Sequence, residues 1–435
     1  MVKMLDLCLE NCKIVPGNKE YCIGIDEGKI ISIKTSSIEA VKTIDIKGMV
    51  VLPGLIDAHV HMRDPGFTYK EDFKTGTSAA AAGGFTTVLD MPNTKPPTNN
   101  VKNFKDKRKI AENKCIVDFG FHAGADNPLN IKKLASLSPA SFKIFMDLFD
   151  DEILMDILLE ISELPLLNGK KPIVSLHAED NEIIRRYTQI KKDENNLSPT
   201  VYADARPPFA EDVAVSKAIM MAKEFNLNMY ICHTSTKKSL NFIEKAKIDG
   251  CRITSEVTPH HIFLDSSYLE KFGTFAKTNP PLRSKLIKIN LTDIYKADII
   301  GTDHAPHTIA EKEKNIWDAS PGIPGLETAL PLILNEINRG NFTFDEILRL
   351  LCRNPARIFN LKNKGFIKEG LDADLVVVDM KKERIINPEN FHSKAHYSPF
   401  EGFKVKGIPI MTISRGNVVM DDGEILKNKG KYVYS

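Results

Sequence analysis

Short apolar, β-branched runs recur through the middle of this chain, and each ends on polar or ionisable residues. Eight stand out: VVLPGLIDAHV, FTTVLDM, CIVDFGFHA, ASFKIFMD, PIVSLHAE, NMYICHTS, CRITSEVTP and ADIIGTDHA. Runs of this length between turn residues read as buried strands. Segments between them, such as EDFKTGTSAAAAG and AEDVAVSKAIMMAKEF, repeat their apolar residues every three to four positions and predict helices. Eight strand–helix alternations over about 300 residues predict an α/β fold, a (β/α)8 TIM-like barrel rather than an open doubly wound sheet. A doubly wound sheet would carry a glycine-rich phosphate turn after its first strand, and none follows here.

The two ends differ from the middle. LDLCLENCKIV, EYCIGIDEGKIISIKT and VKTIDIKG at the start, and ADLVVVDM, IPIMTISRGNVVM and KYVYS at the finish, are strand-like pieces separated by turns. The expected organisation is therefore a small β-sandwich built from residues 1–52 plus 363–435, with the barrel spanning 53–362. A chain of 435 residues has room for both.

Composition narrows the partners. With 42% hydrophobic and 27% charged residues and a net charge of +2, this is ordinary globular material with no electrostatic pull toward nucleic acid or an anionic membrane. There is no apolar run of about 18 residues to span a bilayer. Acidic residues interrupt the N-terminal stretch MVKMLDLCLENCKIVPG, which does not read as a signal peptide. Seven scattered cysteines without a CxxC pair predict reduced thiols and a cytoplasmic protein. Strand alternation is expected to turn Cys232 into the core, away from its neighbour His233.

Barrel enzymes carry their chemistry at the C-terminal ends of the strands, where this sequence concentrates its metal-competent residues. In DAHVHMRDPG (57–66), alternation puts His59 and His61 on one side, within reach of one metal ion, while Val60 packs opposite. Strand four then supplies Lys143, strand five His177, strand six His233 and strand eight Asp303. One buried histidine is readily a hydrogen-bonded core residue. Four histidines and an aspartate gathered at one end are costly to bury unless a divalent cation pairs with them. The donor set suits zinc, with manganese, cobalt or iron as alternatives. Lys143 sits among Phe142, Ile144, Phe145 and Met146, and burial favours its neutral amine. Such an amine can take up carbon dioxide and become a carbamate able to bridge two ions. Asp147 and Asp150 remain competing bridges.

Other residues point toward a ligand. Arg63, two positions after His61, offers a fork suited to a carboxylate, Asn93 an amide and His307 a ring N–H. Each has a bland alternative: Arg63 paired with Asp64 or Asp72, Asn93 forming a turn, His307 in an exposed loop. Together at one face they suggest a small carboxylated ring as substrate. His122 is expected to pack within strand three, His260 and His261 to support the ligands from behind or to be structural, and His304 to face away from the metals. His392 and His396 are expected to touch only solvent.

Taken together, these motifs resemble those of the amidohydrolase superfamily, and within it the dihydroorotases, from IDIKGMVVLPGLID to RGNVVMDDGEI. The resemblance implies two Zn2+ per chain. His59, His61 and Asp303 would hold one and His177 and His233 the other, bridged by carbamylated Lys143 and a hydroxide. One dihydroorotase branch bridges with an aspartate, whereas SFKIFM is similar to the strand of hydantoinases and other carbamylated-lysine relatives. RDPG, MPNT and NPPLR imply substrate contacts by Arg63, Asn93, Asn279 and His307, and SPGIPGLE implies backbone bonds from Pro321 and Gly322. Hydantoinases and dihydropyrimidinases resemble the metal motifs but usually lack the arginine after HxH, and allantoinases typically replace it. The implied activity is reversible cyclisation of N-carbamoyl-L-aspartate to L-dihydroorotate in pyrimidine biosynthesis, with Asp303 moving the proton. Another cyclic amidase is the main rival. An inactive scaffold for a pyrimidine-pathway enzyme should have lost ligands, and all are present. A homo-oligomer or an association with aspartate transcarbamoylase stays open.

Overall fold

The computed structural model describes residues 4–17, 19–167 and 169–434. Met1–Lys3 of the N-terminal stretch and Ser435 of KYVYS lie outside the described residues.

Eight parallel strands position the chemistry. They are β1 (Leu55–Val60), β2 (Phe85–Asp90), β3 (Asp118–Phe121, resumed at Ala123–Gly124), β4 (Phe142–Phe145), β5 (Ile173–His177), β6 (Asn228–Ile231), β7 (Ile253–Val257) and β8 (Ile299–Ile300). Sequential neighbours pair, with Asp57 opposite Val88, Lys143 opposite Ser175 and Glu256 opposite Ile299. Beyond β8, His304 forms a parallel bridge with Val60, and the His61 N–H donates to its carbonyl at 2.8 Å, so the order returns to β1. Strands buried on both faces suit this arrangement: every residue of β1 and β2 is buried, with helices between successive strands.

Helix placement follows local chemistry. Helix Phe73–Ala82 starts at Asp72, whose carboxylate accepts the N–H groups of Lys74 and Thr75. Losing such a cap costs about 1 kcal/mol. Helix Pro208–Glu224 buries Ala210, Ala214, Ala218 and Ala222, a small-residue stripe at a spacing of four.

The terminal strands form a nine-stranded mixed sheet in which Val50–Pro53 pairs with Leu5–Ile14 on one side and with Leu375–Ile385 on the other. Leu7, Leu9, Ile23, Ile25, Val51, Leu375, Val377 and Ile413 make its core. The run VVLPGLIDAHV is therefore two strands in two sheets, not one. Its break is at Gly54, where a Cβ would stand 2.2 Å from Thr86 Oγ1, so only glycine lets the chain cross there. KYVYS also departs from expectation. Tyr432 bridges Phe119 of β3 and packs its ring on Phe104, Phe119 and Phe121.

Candidate metal centre

At the C-terminal ends of the parallel strands the structure brings together His59, His61, His177, His233 and Asp303. His59 Nε2 and His61 Nε2 stand 3.3 and 3.1 Å from the same oxygen, Asp303 Oδ1. His61 lies just past the end of β1, and Asp303 reaches inward from a left-handed backbone position (φ 48°). Each imidazole is held on its other nitrogen: His59 Nδ1 by Glu256 Oε1 at 2.8 Å, and His61 Nδ1 by Asn93 Oδ1 at 2.7 Å. Burial disfavours a charged His59, but Glu256 and Asp303 outweigh it and raise its pKa well above the usual value. His61 goes the other way: burial and the nearby Arg63 lower it to about 4. Burial would raise the Asp303 carboxyl, yet His59, His61 and His233 hold it well below the ordinary range.

On the other side, His177 Nδ1 and His233 Nε2 face each other at 3.0 Å. His177 Nε2 meets Glu179 Oε2 at 2.8 Å, and Glu179 is bound in turn by Arg206, whose positive charge overcomes burial and depresses the carboxyl. His233 also adopts positive φ (33°), and its N–H donates to Glu256 Oε1.

A divalent cation fits this set. His233 Nδ1 is buried without a hydrogen-bond partner among the described residues, a rare condition for an imidazole nitrogen. His59, His233 and Asp303 offer ligand atoms that all lie within 4.8 Å of one another. Nitrogen and carboxylate oxygen donors together suit zinc-like ions.

Lys143 is 1% exposed among the apolar neighbours foreseen for it, and its Nζ donates to Cys232 Sγ at 3.0 Å. Cys232 therefore does not point away from the site. The left-handed turn at His233 breaks strand alternation, so both residues reach inward, and Cys232 joins Ile56, Ala58, Met91 and Tyr230 beneath the centre. Of the competing bridges, Asp150 is exposed at the start of helix Asp151–Ser162, outside the cluster. Asp147 stands 3.8 Å from His177 Nε2 and accepts from Arg206 at 2.9 Å.

Arg63 stands close to His61, with His307 beside it. Arg63 is buried in a left-handed backbone position (φ 59°), so a turn past the end of β1 aims it. Its Nε donates to Pro306 O, and Nη2 lies 3.1 Å from His307 Nε2. Asp64 pairs instead with Lys114, and Asp72 with Lys394. His307 is buried rather than in an exposed loop; it meets Pro321 O at 2.9 Å, and burial with Arg63 and Lys70 close by lowers its pKa strongly. Asn279 Oδ1 accepts from Tyr202 OH. The Gly322 N–H is already donated to Lys277 O, while Gly322 O accepts from Lys312 and Tyr397.

The remaining histidines divide between those with one or two hydrogen-bond partners on the ring and His260, whose buried Nε2 has no hydrogen-bond partner among the described residues. His122 is locked between Ser141 Oγ and Ala58 O, His261 between Thr258 and Pro280 O, and His304 accepts from the Gly325 N–H. His260 is buried beside His261. His392 is not a solvent residue: it is half-buried between Glu327 Oε2 and Gly423 O. His396 is exposed and meets only Pro388 O. Sequence reasoning missed Glu256, Glu179 and Arg206. A carboxylate inside the apolar strand CRITSEV, and another two positions after His177, were the available signals.

Residues 50–419 match the Amidohydrolase family. The chain is 47% identical over 430 residues to the dihydroorotase of Methanothermobacter thermautotrophicus, covering 99% of this chain and 97% of that one. It is 46% identical over 437 residues to the dihydroorotase of Methanosphaera stadtmanae, covering 99% and 100%. Among solved structures, the L-hydantoinase of Arthrobacter aurescens superposes with a TM-score of 0.92 at 30% identity, covering 99% of this chain and 100% of that one.

Proposed function

The chain belongs to the amidohydrolase family, and we propose that it catalyses the reversible ring closure of N-carbamoyl-L-aspartate to L-dihydroorotate, a step of pyrimidine biosynthesis. The observation that carries this reading is Arg63, a buried guanidinium close to His61 with no carboxylate in ion-pair contact among the described residues. A buried cation of this kind calls for an anion from outside, and a carboxylated ring supplies one. The same reading takes the cyclic strand order as a closed (β/α)8 barrel and places the enzyme in the cytoplasm. No helix among the described residues is long and apolar enough to cross a membrane.

In this reading His59, His61 and Asp303 would hold one divalent ion, His177 and His233 a second, and Lys143, as its carbamate, would lie between them. Zinc is the ion the donors suit best. When bound, such ions supply a water-derived nucleophile near neutrality and positive charge for the developing oxyanion. The chain's own groups do the rest. Arg63 and His307 bind the substrate carboxylate and fix the ring. Glu256 and Asn93 hold the tautomers and ring planes of His59 and His61. In ring opening, water oxygen bonds to the ring carbonyl carbon, and Asp303 takes the proton at its carboxylate. It then returns that proton to the ring nitrogen as the C–N bond breaks. Ring closure reverses each step.

A different cyclic amidase is the competing reading, since an L-hydantoinase shares the fold. Metal-analysed protein assayed with dihydroorotate, hydantoin and allantoin separates the two. Turnover confined to dihydroorotate is expected; comparable kcat/KM on hydantoin would overturn the proposal.

A further inference from the structure

Eight lysines and arginines are buried among the described residues: Arg63, Lys107, Lys143, Arg206, Lys277, Arg283, Lys312 and Lys364. Four of them sit in ion pairs, Lys107 with Asp90, Arg206 with Glu179, Arg283 with Glu211 and Lys364 with Asp118 and Asp374. The other four have no carboxylate in ion-pair contact among the described residues, and all four border the same end of the parallel strands. Lys143 belongs to the metal centre and Arg63 to the proposed substrate clamp. Lys277 and Lys312 have no role in either.

Their bonding argues that they are charged. Lys312 Nζ donates to three carbonyls, Gly322 O and Ser320 O at 2.9 Å and Lys277 O at 3.3 Å. Lys277 Nζ donates to Ile316 O at 2.7 Å, Ala319 O at 2.5 Å and Trp317 O at 3.4 Å. Three acceptors match the three hydrogens of an ammonium, whereas a neutral amine has two. Carbonyls satisfy the hydrogen bonds but bring no compensating unit charge. Exposed Asp318 is the acidic group that acts on Lys277, against Arg206 and Lys192; Lys277 and Arg63 act on Lys312. Burial and these like charges pull Lys277 down to about 8 and Lys312 well below the ordinary lysine value, so the charge on each is held by its carbonyl acceptors against that pull. An entering anion relieves that strain.

Both ammoniums reach the ligand face through intermediate residues: Lys277 Nζ lies 4.2 Å over the Tyr202 ring, whose hydroxyl donates to Asn279, and Lys312 reaches it through a loop. Gly322 O, which accepts from Lys312, follows Pro321, whose carbonyl meets His307, and His307 touches Arg63. Resting on the functional reading above, we propose that Lys277 and Lys312 are specificity-determining residues whose buried positive charge favours the doubly anionic open-chain ureido acid over the singly anionic ring. Charges in such a water-poor wall are weakly screened and act beyond contact distance. A second substrate carboxylate therefore gains more from them than the ring, which carries one.

The reaction's equilibrium constant fixes the ratio of kcat/KM values in the two directions, so the effect must be read in KM. Lys312→Met and Lys277→Met in the metal-loaded enzyme should raise KM for N-carbamoyl-L-aspartate by at least about fivefold more than KM for dihydroorotate. Lys312→Arg, which keeps the charge, should restore the wild-type ratio. If a Met variant fails to fold, Lys312→Gln keeps donors for the loop carbonyls without the charge and is read the same way. Equal rises for both compounds would reduce the lysines to a loop staple and overturn the inference. Wild-type protein inactive on both compounds would instead remove the functional reading, and this inference with it.

Discussion

Glu256 Oε1 stands 2.8 Å from His59 Nδ1, and neither side chain has appreciable contact with solvent. The same oxygen accepts the His233 N–H, and the other accepts the Tyr230 hydroxyl. One carboxylate from β7 thus sets the proton position on His59 and the backbone position of His233, residues delivered by β1 and β6. Fixing a ligand's second nitrogen leaves its first oriented and more basic toward a cation.

Glu256→Gln keeps the shape of this link but removes its charge. Loss of such a partner typically weakens metal binding about 10–100-fold. The variant should therefore release metal to a chelator at far lower concentration than wild type, measured as bound metal per chain after dialysis. Unchanged retention would mean that Glu256 only packs beneath the site.

Much of this was legible in the strand ends. His59, His61, His177, His233 and Asp303 each close an apolar run, and parallel strands deliver such ends to one place. Period-two alternation was a poor guide past those ends. His233, Arg63 and Asp303 all take left-handed backbone conformations, which re-aim side chains in ways that no hydrophobic pattern encodes. Hence alternation turns Cys232 away from the site, whereas it meets Lys143, and the two-residue spacing from His61 does not decide where Arg63 points. Long-range polar partners were hidden for another reason. Glu256 lies 197 residues from His59, and Glu327 lies 65 from His392, so each pairing exists only after the chain has folded.

Arg63→Met tests the carboxylate clamp. A lost charged hydrogen bond to a desolvated carboxylate costs about 2–5 kcal/mol, which converts to roughly 30-fold to several thousand-fold in kcat/KM. Metal content should stay at the wild-type value, because Arg63 binds His307 and Pro306 rather than any metal donor. Should the variant keep near-normal kinetics but melt at lower temperature, the guanidinium holds the loop and not the substrate.

His392 links stability to pH. Its hydrogen bond to Glu327 is the largest cause raising its pKa, opposed by partial burial. Both ring nitrogens face oxygen acceptors, an arrangement that the doubly protonated ring satisfies. For a histidine raised above its unfolded value near 6.5, the stabilisation is complete below that pH and disappears as pH climbs through the folded value. The difference in Tm between wild type and Glu327→Gln should accordingly be largest near pH 6 and shrink toward pH 8 and above. A difference that is constant across this range would assign the pair no titration-linked role.

Lys143 carries the sharpest test of the proposed centre. Its amine is buried, lies next to Cys232 and is flanked by the Phe145 ring 4.9 Å away. No other strand-four group stands where a bridging anion is needed: Asp150 is exposed, and Asp147 is engaged by Arg206. Lys143→Ala should lower bound metal by about one ion per chain and remove nearly all turnover, since two metals share one anionic bridge in this reading. Acetate or propionate, carboxylates small enough for the vacated space, should recover part of both. Carbon-13 bicarbonate should also label wild type, and not Lys143→Ala, with a carbamate resonance that metal removal abolishes. A variant that binds two ions and turns over normally without any added acid would transfer the bridge to Asp147.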